Sequence, residues 1–250
     1  MTGYDIICLI AVGLGAGFIN TFAGGGSMLV VPFLIFLGLP ANIANATNRV
    51  AILLQNVVSV STFRQQHILD VKKDGKLLIP TLLGSIAGAL LAVDIQEDIL
   101  KKIIGVLLIV LFFMVLLNPN AWVQARADKA RALKPVLRFL IFFGIGFYGG
   151  FIQIGVGFFL LAGLVLGQGF DLLKANAIKV FIVLFYTLIA LGIFIYYDLI
   201  DWQTGLILSC GNMAGAWIGT HLSIKWGAKY IRYILLAALA LVALKLTGLF

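Results

Sequence analysis

The chain has 250 residues, of which 62% are hydrophobic and only 11% are charged, and its mean hydropathy is +1.11. Soluble domains are nearer half apolar and a quarter charged, so the composition argues against a soluble protein and predicts a polytopic membrane protein. The net charge of +8 fits the positive-inside bias, anionic lipid or an anionic substrate better than a nucleic-acid partner, which we do not expect.

Five apolar segments are predicted in each half of the chain. All are expected to be helices, because a membrane-spanning segment must satisfy its own backbone hydrogen bonds. The first half has segments at 4–22, 28–39, 43–63, 77–93 and 99–117, and the second has them at 138–154, 157–168, 173–197, 204–220 and 230–248. The predicted domains are therefore 1–117 and 137–250, joined by a linker at 118–136.

Charges in the loops predict which side of the membrane each loop faces. The connection at 118–138 carries five basic residues and one acid, so we expect the linker in the cytoplasm together with the basic loops 64–76 and 221–229. The acidic loops 94–98 and 198–201 are then outside. With five elements in each half, the halves become inverted repeats of a multi-pass protein of the inner membrane, and both termini are expected outside.

A glycine-rich motif of the first half returns 131 positions later, without a gap. Gly24-Gly25-Gly26-Ser27 corresponds to Gly155-Val156-Gly157-Phe158, and Asn45 corresponds to Asn176. Duplicated glycine-broken apolar segments are typical of a transporter site between two repeats. The segments after the motifs are too short to cross a core of about 30 Å, so we expect each break near mid-membrane, within a helical hairpin.

The two glycine-rich breaks are predicted to bind an anion. Gly24 to Gly26 leave backbone N–H groups uncovered, and Ser27 is expected to cap a helix whose positive end attracts negative charge. Gly155 and Gly157 offer a second set of donors from the opposite side. The alternative is that these glycines only allow close helix packing.

Polar side chains within the apolar segments supply the other candidates, since such residues are costly in a membrane and usually functional. Arg49 and Lys179 either provide charge for the substrate or snorkel to the nearer interface. Asn45 and Asn176 either bind the anion or make structural hydrogen bonds. The predicted substrate-binding residues are Asn20, Thr21, Gly24, Gly25, Gly26, Ser27, Asn45, Thr47, Asn48, Arg49, Gln153, Gly155, Gly157, Asn176 and Lys179. Gln55, Asn56, Tyr186 and Thr187 are further polar residues of these segments.

All ten Asp and Glu residues lie in loops or at segment ends. A cation pathway or a carboxylate proton relay would place at least one acid inside a segment, so the substrate is expected to be a small anion. The sequence also has no His-Glu-x-x-His motif, no intramembrane Asp pair and no Cys–His arrangement. We therefore expect no enzyme activity, no catalytic residue, no metal site and no cofactor.

Several stretches together resemble one family over nearly the whole chain. They are Gly13 to Phe18, Ala23 to Ser27, Val31-Pro32, Gly38 to Pro40 and Ala44 to Asn48. These resemble the sulfite exporter TauE/SafE family of membrane permeases, and Asp201-Trp202 with the glycines at 211, 215 and 219 resembles that family's second repeat.

The resemblance implies outward transport of a small sulfur-containing anion, such as sulfite or an organosulfonate, and we expect it to proceed by alternating access. An anion channel, or a transporter of another small anion, is the alternative. Besides the anionic substrate, the expected partner is the lipid bilayer, and a homodimer is left open.

Overall fold

The computed structural model describes residues 3–22, 24–70, 75–117 and 134–246. Within these residues it has nine α-helices, one short 3-10 helix and no strand, which confirms the all-α prediction. Most of the predicted linker, 118–133, lies outside the described residues, so the domain boundaries stay predictions.

The helices follow the predicted segments closely, with one exception. In the first half they are α1 (Gly3–Phe22), α2 (Ser27–Phe36), α3 (Ala41–Gln65), α4 (Leu78–Asp94) and α5 (Glu97–Leu117), with the 3-10 helix at Gly75–Leu77. In the second half they are α6 (Pro135–Phe151), α7 (Val156–Gln168), α8 (Leu172–Tyr196) and α9 (Trp202–Leu246).

Proline, glycine and aspartate set several of the helix ends. Pro135 begins α6, where its missing N–H costs nothing. Gly38 and Gly169 follow α2 and α7 with φ of 94° and 73°, the left-handed conformation that glycine adopts most readily. Asp171 caps α8, because its side chain accepts hydrogen bonds from the N–H groups of Leu173 and Lys174, both at 3.0 Å.

The last two predicted segments form a single helix, so the predicted loop at 221–229 is wrong. Helix α9 runs for 45 residues without a break, a length of about 68 Å at a rise of about 1.5 Å per residue. The stretch 221–229 holds one glycine and no proline, and its basic residues are compatible with a helix, so nothing in it forces a turn. In the first half, the matching α4 and α5 are separate helices.

Two pairs of helices pack closely along their lengths, α1 with α9 and α4 with α6. Glycines make this possible, because a Cβ added at Gly17 would lie 2.2 Å from the carbonyl oxygen of Asn212. A Cβ added at Gly150 would likewise lie 2.2 Å from the carbonyl oxygen of Ser85. Close backbone approach through small residues is typical of helices that associate in membranes.

Helices α3 and α8 lie at the centre, and together they carry half of the buried polar residues that the structure describes, including both buried cations. Two described helices, α1 and α8, are long and apolar enough to cross a membrane, and α2, α4, α6 and α7 are shorter apolar helices. Large apolar side chains such as Ile79, Leu140 and Leu188 are exposed. This outward apolar surface is the one that a bilayer would cover.

Candidate anion-binding site

The first break separates α1 from α2 and is organised by Asn20. Gly24 has a φ of 79° and its N–H donates to the Asn20 carbonyl oxygen at 2.9 Å, while the N–H of Gly26 donates to the Asn20 side-chain oxygen at 2.7 Å. The predicted capping role of Ser27 is wrong, because Ser27 is the first residue of α2, Gly26 precedes it, and no side chain caps the helix. The N–H groups of Leu29 and Val30, which a Ser27 cap would bind, donate instead to the Gly26 carbonyl oxygen.

The second break separates α6 from α7 and has two residues in the left-handed conformation. Gln153 has a φ of 67° and Gly155 a φ of 71°. The N–H groups of Gly155 and Gly157, like that of Gly25 in the first break, have no hydrogen-bond partner among the described residues. These amides are the uncovered donors that the sequence led us to expect, whereas those of Gly24 and Gly26 are already bonded.

The two breaks touch each other at their glycines. A Cβ added at Gly24 would lie 2.2 Å from the Cα of Gly157, and a Cβ at Gly157 would lie 2.2 Å from the Cα of Gly24. A Cβ at Gly25 would lie 2.8 Å from the ring of Phe158. Close packing is therefore one reason for these glycines, and it places the two interruptions side by side.

A small cavity of about 20 Å³ lies where the breaks meet. Six predicted site residues line it: Asn20, Gly24, Ser27, Gln153, Gly157 and Lys179. The remaining lining consists of Ile52, Gln55, Asn56, Val156 and Val183. A cavity of this size has room for about one water molecule.

Lys179 is the cation that lines this cavity. Its side chain is only 2% exposed, and its Nζ donates to the carbonyl oxygens of Asn20 at 2.8 Å and Thr21 at 3.0 Å. These carbonyls belong to the last turn of α1, where unpaired carbonyls and the helix dipole attract positive charge. The predicted alternative that Lys179 snorkels to an interface is wrong.

Arg49, on α3, binds backbone carbonyls at the end of α6 in the same way that Lys179, on α8, binds those at the end of α1. Its guanidinium donates to the carbonyl oxygens of Gly149 at 2.8 Å and Gly150 at 2.7 Å, and to the Gln153 side-chain oxygen at 2.8 Å. It is 0% exposed, its guanidinium carbon lies 4.8 Å from the Phe194 ring centre, and it is not part of the cavity lining. Snorkelling is therefore wrong for Arg49 as well.

Amide side chains make up the rest of the polar lining. The side-chain oxygen of Gln55 accepts hydrogen bonds from the side-chain amides of Asn20 at 3.4 Å and Asn212 at 3.2 Å. Asn56 donates to the Ile52 carbonyl oxygen at 2.7 Å. The sequence singled out Gln55 and Asn56 as polar but not as site residues, and it missed Asn212. The sequence feature that could have identified Asn212 is its polar side chain within an apolar segment, between Gly211 and Gly215.

The other predicted residues lie outside the lining of this cavity. Thr21 donates its hydroxyl to the Gly17 carbonyl, Asn45 donates to the Phe151 carbonyl at 2.9 Å, and the Thr47 hydroxyl accepts from the Asp201 N–H at 3.0 Å. Asn48 and Asn176 are fully buried, and their side-chain amides have no partner among the described residues. Gly25, Gly26 and Gly155 flank the cavity along the two breaks.

Positive and neutral groups alone surround the site. The cavity lining contains no Asp or Glu, and no carboxylate is among the buried side chains that the structure describes. In the same described residues, no group of three His, Cys, Asp or Glu side chains could hold a metal ion. An ammonium group and amide donors are suited to an anion, because hydrogen bonds to a charged acceptor are stronger than neutral ones.

Comparisons with a family model and with curated proteins match nearly the whole chain. The family model described as "Sulfite exporter TauE/SafE" matches residues 9–246. The probable membrane transporter protein ORF9 of Sinorhizobium sp. is 30% identical over 232 residues, covering 92% of this chain and 88% of the relative. The probable membrane transporter protein YfcA of Escherichia coli K12 is 31% identical over 240 residues, covering 95% and 88%. The probable membrane transporter protein YjnA of Bacillus subtilis 168 is 27% identical, covering 96% and 99%. No solved structure matches the chain.

Proposed function

This chain belongs to the sulfite exporter TauE/SafE family of membrane transporters, and from that premise we propose that it exports a small sulfur-containing anion, such as sulfite or an organosulfonate. The observation that carries the proposal is the amine of Lys179 in a cavity that two helix interruptions and several amides surround, with no carboxylate in its lining. Such a lining favours an anion over a cation, because a buried cation would face another positive charge without compensation.

Donors from both halves of the chain converge on the proposed anion position. Lys179 supplies positive charge, and Gln153 and Asn56 supply side-chain amides. The uncovered N–H groups of Gly155 and Gly157 lie at the start of α7, whose positive dipole end would orient oxygens of the anion. A sulfur oxyanion offers several acceptor oxygens to such converging donors, and each charge-assisted bond is about twice as strong as a neutral one.

We propose alternating access between two inverted repeats as the transport mechanism. Reciprocal packing supports it, because α1 contacts α9 as α4 contacts α6, and the two breaks meet at the same cavity. The cavity of about 20 Å³ is too small for a sulfur oxyanion and must widen to admit it, and we propose that separation of the halves widens it. We further propose glycine-broken hairpins, a cytoplasmic linker, an external N-terminus and an inner-membrane location. The predicted external C-terminus does not follow from the structure, because α9 continues through 221–229 without turning back.

Counterflow with purified protein in liposomes tests this proposal. Liposomes loaded with unlabelled sulfite, sulfoacetate, taurine, sulfate or acetate are diluted into labelled sulfite, and the transient accumulation of label is measured. We expect sulfite and sulfoacetate to drive accumulation and acetate to drive little. Equal failure of all the sulfur compounds would overturn the proposed substrate, and unitary currents in planar bilayers would replace the carrier with an anion channel.

A further inference from the structure

We propose that Asn48 and Asn176 form two further anion-binding positions, one on each side of the cavity that Lys179 lines. The inference rests on the proposed function, since it gives the transported anion a place to bind before it enters the cavity and another after it leaves. Its basis is the placement of two fully buried side-chain amides that have no hydrogen-bond partner among the described residues.

Asn48 and Asn176 differ from the other buried amides that the structure describes. In both residues, neither the side-chain nitrogen nor the side-chain oxygen has a partner among the described residues. Asn45 shows the contrast, because its nitrogen donates to the Phe151 carbonyl oxygen at 2.9 Å and only its oxygen is unbonded. An amide offers two donor hydrogens and an acceptor oxygen, and burying it without partners is unfavourable. A ligand that binds these amides in another conformation explains why they are buried here.

Both amides lie on the helix faces that line the cavity. Asn48 precedes Ile52 by four residues and Gln55 by seven, and residues at these spacings share one face of a helix. Asn176 precedes Lys179 by three residues, so it shares a face of α8 with that lysine. Each amide therefore lies about one helical turn beyond the cavity lining, toward the start of its own helix.

Helices α3 and α8 run in opposite directions, so the two amides lie on opposite sides of the cavity. Near the start of α8, the Nζ of Lys174 donates to the carbonyl oxygen of Ile68, which follows the end of α3, at 2.8 Å. Toward the start of α3, the guanidinium carbon of Arg49 lies 4.8 Å from the ring centre of Phe194, near the end of α8. The start of each helix is thus beside the end of the other.

The two amides are separated by about 15 Å along the helices, at a rise of about 1.5 Å per residue. Gln55 and Lys179 lie at one level, because both make hydrogen bonds to Asn20. Asn48 is seven residues from that level in one direction, and Asn176 is three residues from it in the other. The path along α3 and α8 therefore has three positions in a row, with the cavity between the two unpartnered amides.

Each amide serves the face of the membrane that is nearer to it. When the protein opens toward that face, the anion reaches the amide first, and the amide N–H groups donate to an anion oxygen. Neutral donors bind an anion less strongly than a charged donor does, so the anion passes on to Lys179. Several positions of moderate strength also allow a bound anion to leave as readily as it enters.

Cysteine labelling from each side of the membrane tests these positions. Asn48→Cys and Asn176→Cys are made separately in a variant without Cys8 and Cys210. Right-side-out and inverted membrane vesicles are treated with a membrane-impermeant methanethiosulfonate that carries a sulfonate group. We expect the two positions to react from opposite faces, Asn48→Cys from the face where α3 begins. Sulfoacetate at about ten times its Kd should slow both reactions about tenfold, as occupancy of the site requires.

The matched controls are Val57→Cys on α3 and Leu188→Cys on α8. Both positions are exposed on the outward apolar surface that a bilayer would cover, so the water-soluble reagent should reach neither of them from either face.

Asn48→Leu and Asn176→Leu provide a second measurement, since each replaces an amide with an apolar side chain of similar size. The amides have no hydrogen bond to lose among the described residues, so the thermal unfolding midpoint should not fall. The KM for sulfoacetate uptake should rise about tenfold from the face nearer the changed residue, the effect of losing one hydrogen bond to a charged group.

Three labelling results would overturn the inference and leave the proposed function intact. They are reaction of both cysteines from one face, reaction from neither face, and reaction that sulfoacetate does not slow. A lower unfolding midpoint of the Leu variants with an unchanged KM would make the amides structural and overturn the inference too. Absence of sulfoacetate and sulfite transport by the unchanged protein would overturn both proposals together.

Discussion

At the scale of single residues, Arg49 and Lys179 perform one structural task in opposite halves of the chain. Each side chain starts on a central helix and binds backbone carbonyls where a broken helix of the other half ends. Carbonyls in the last turn of a helix lack a partner within that helix, so a buried cation can bind them. The Asn20 carbonyl also accepts from the Gly24 N–H and binds Lys179 through its second lone pair. The sequence predicted that both residues are important, but not that their first partners are backbone oxygens.

Replacing Lys179 with Met should reduce anion transport strongly. The change removes the positive charge from the cavity lining and keeps a side chain of similar length. We expect the initial rate of sulfite counterflow to fall about tenfold or more, the effect of losing one hydrogen bond to a charged group. Lys102→Met, which changes an exposed lysine on α5, is the matched control and should keep the rate. A counterflow rate unchanged by Lys179→Met would remove this amine from the anion site.

Replacing Arg49 with Met should lower the stability of the folded protein, and we expect this effect to be more direct than any effect on transport. It leaves the buried carbonyl oxygens of Gly149 and Gly150 without their donor, and the Gln153 side-chain oxygen with only the 3.5 Å hydrogen bond from the Thr187 hydroxyl. Leaving buried acceptors unsatisfied costs about 1–3 kcal/mol each, so we expect a clear fall in the thermal unfolding midpoint in detergent. The control is Arg64→Met at an exposed position of α3. Equal midpoints for both variants would show that the Arg49 hydrogen bonds do not stabilise the fold.

At the scale of elements, the contact between the two breaks depends on glycine. Pattern and composition predicted where α1 and α6 end, because glycine-rich stretches interrupt helices. Nothing in that pattern indicates that Gly24 and Gly157 touch, because the two lie far apart along the chain. The same limit applies to α9, where a basic stretch was predicted to be a loop and instead continues a helix.

Gly24→Ala and Gly157→Ala should each disturb the junction of the breaks. An added methyl group would lie 2.2 Å from backbone in either case, and Gly24 also has a φ of 79° that alanine adopts poorly. We expect both variants to unfold at lower temperature and to lose transport. Gly15→Ala and Gly144→Ala are matched controls, because nothing lies within 4 Å of a Cβ added there. Should the two pairs of variants behave alike, the close contact would not be part of the folded protein.

At the scale of the whole molecule, the distribution of charge and apolar surface decides how the protein meets the bilayer. Large apolar side chains face outward on several helices, and the charged interior groups lie on the central helices α3 and α8. The orientation across the membrane is a prediction from basic loops alone. One of those loops, 221–229, is helical, so the predicted orientation depends mainly on the basic connection at 118–138.

Accessibility of introduced cysteines tests that orientation. In a variant without Cys8 and Cys210, Tyr4→Cys places a thiol at an exposed position near the start of α1, and Ala127→Cys places one in the predicted linker. We expect a membrane-impermeant maleimide to label position 4 in intact cells and position 127 only after lysis. Labelling in the reverse order would place the N-terminus in the cytoplasm and the linker outside.

Composition, hydropathy and the duplicated glycine motif were enough to predict an all-helical membrane protein and the two interruptions, and the resemblance of several motifs indicated the family of transporters. These properties are local or additive, because each helix forms its own hydrogen bonds and each apolar residue contributes separately to burial. Only the tertiary structure decided that Gly24 meets Gly157, that Lys179 binds the end of α1, and that Gln55 and Asn56 join the cavity. Those contacts depend on how the helices of the two halves pack together. A pattern along the sequence does not predict that packing, because it contains no information on which distant residues come into contact.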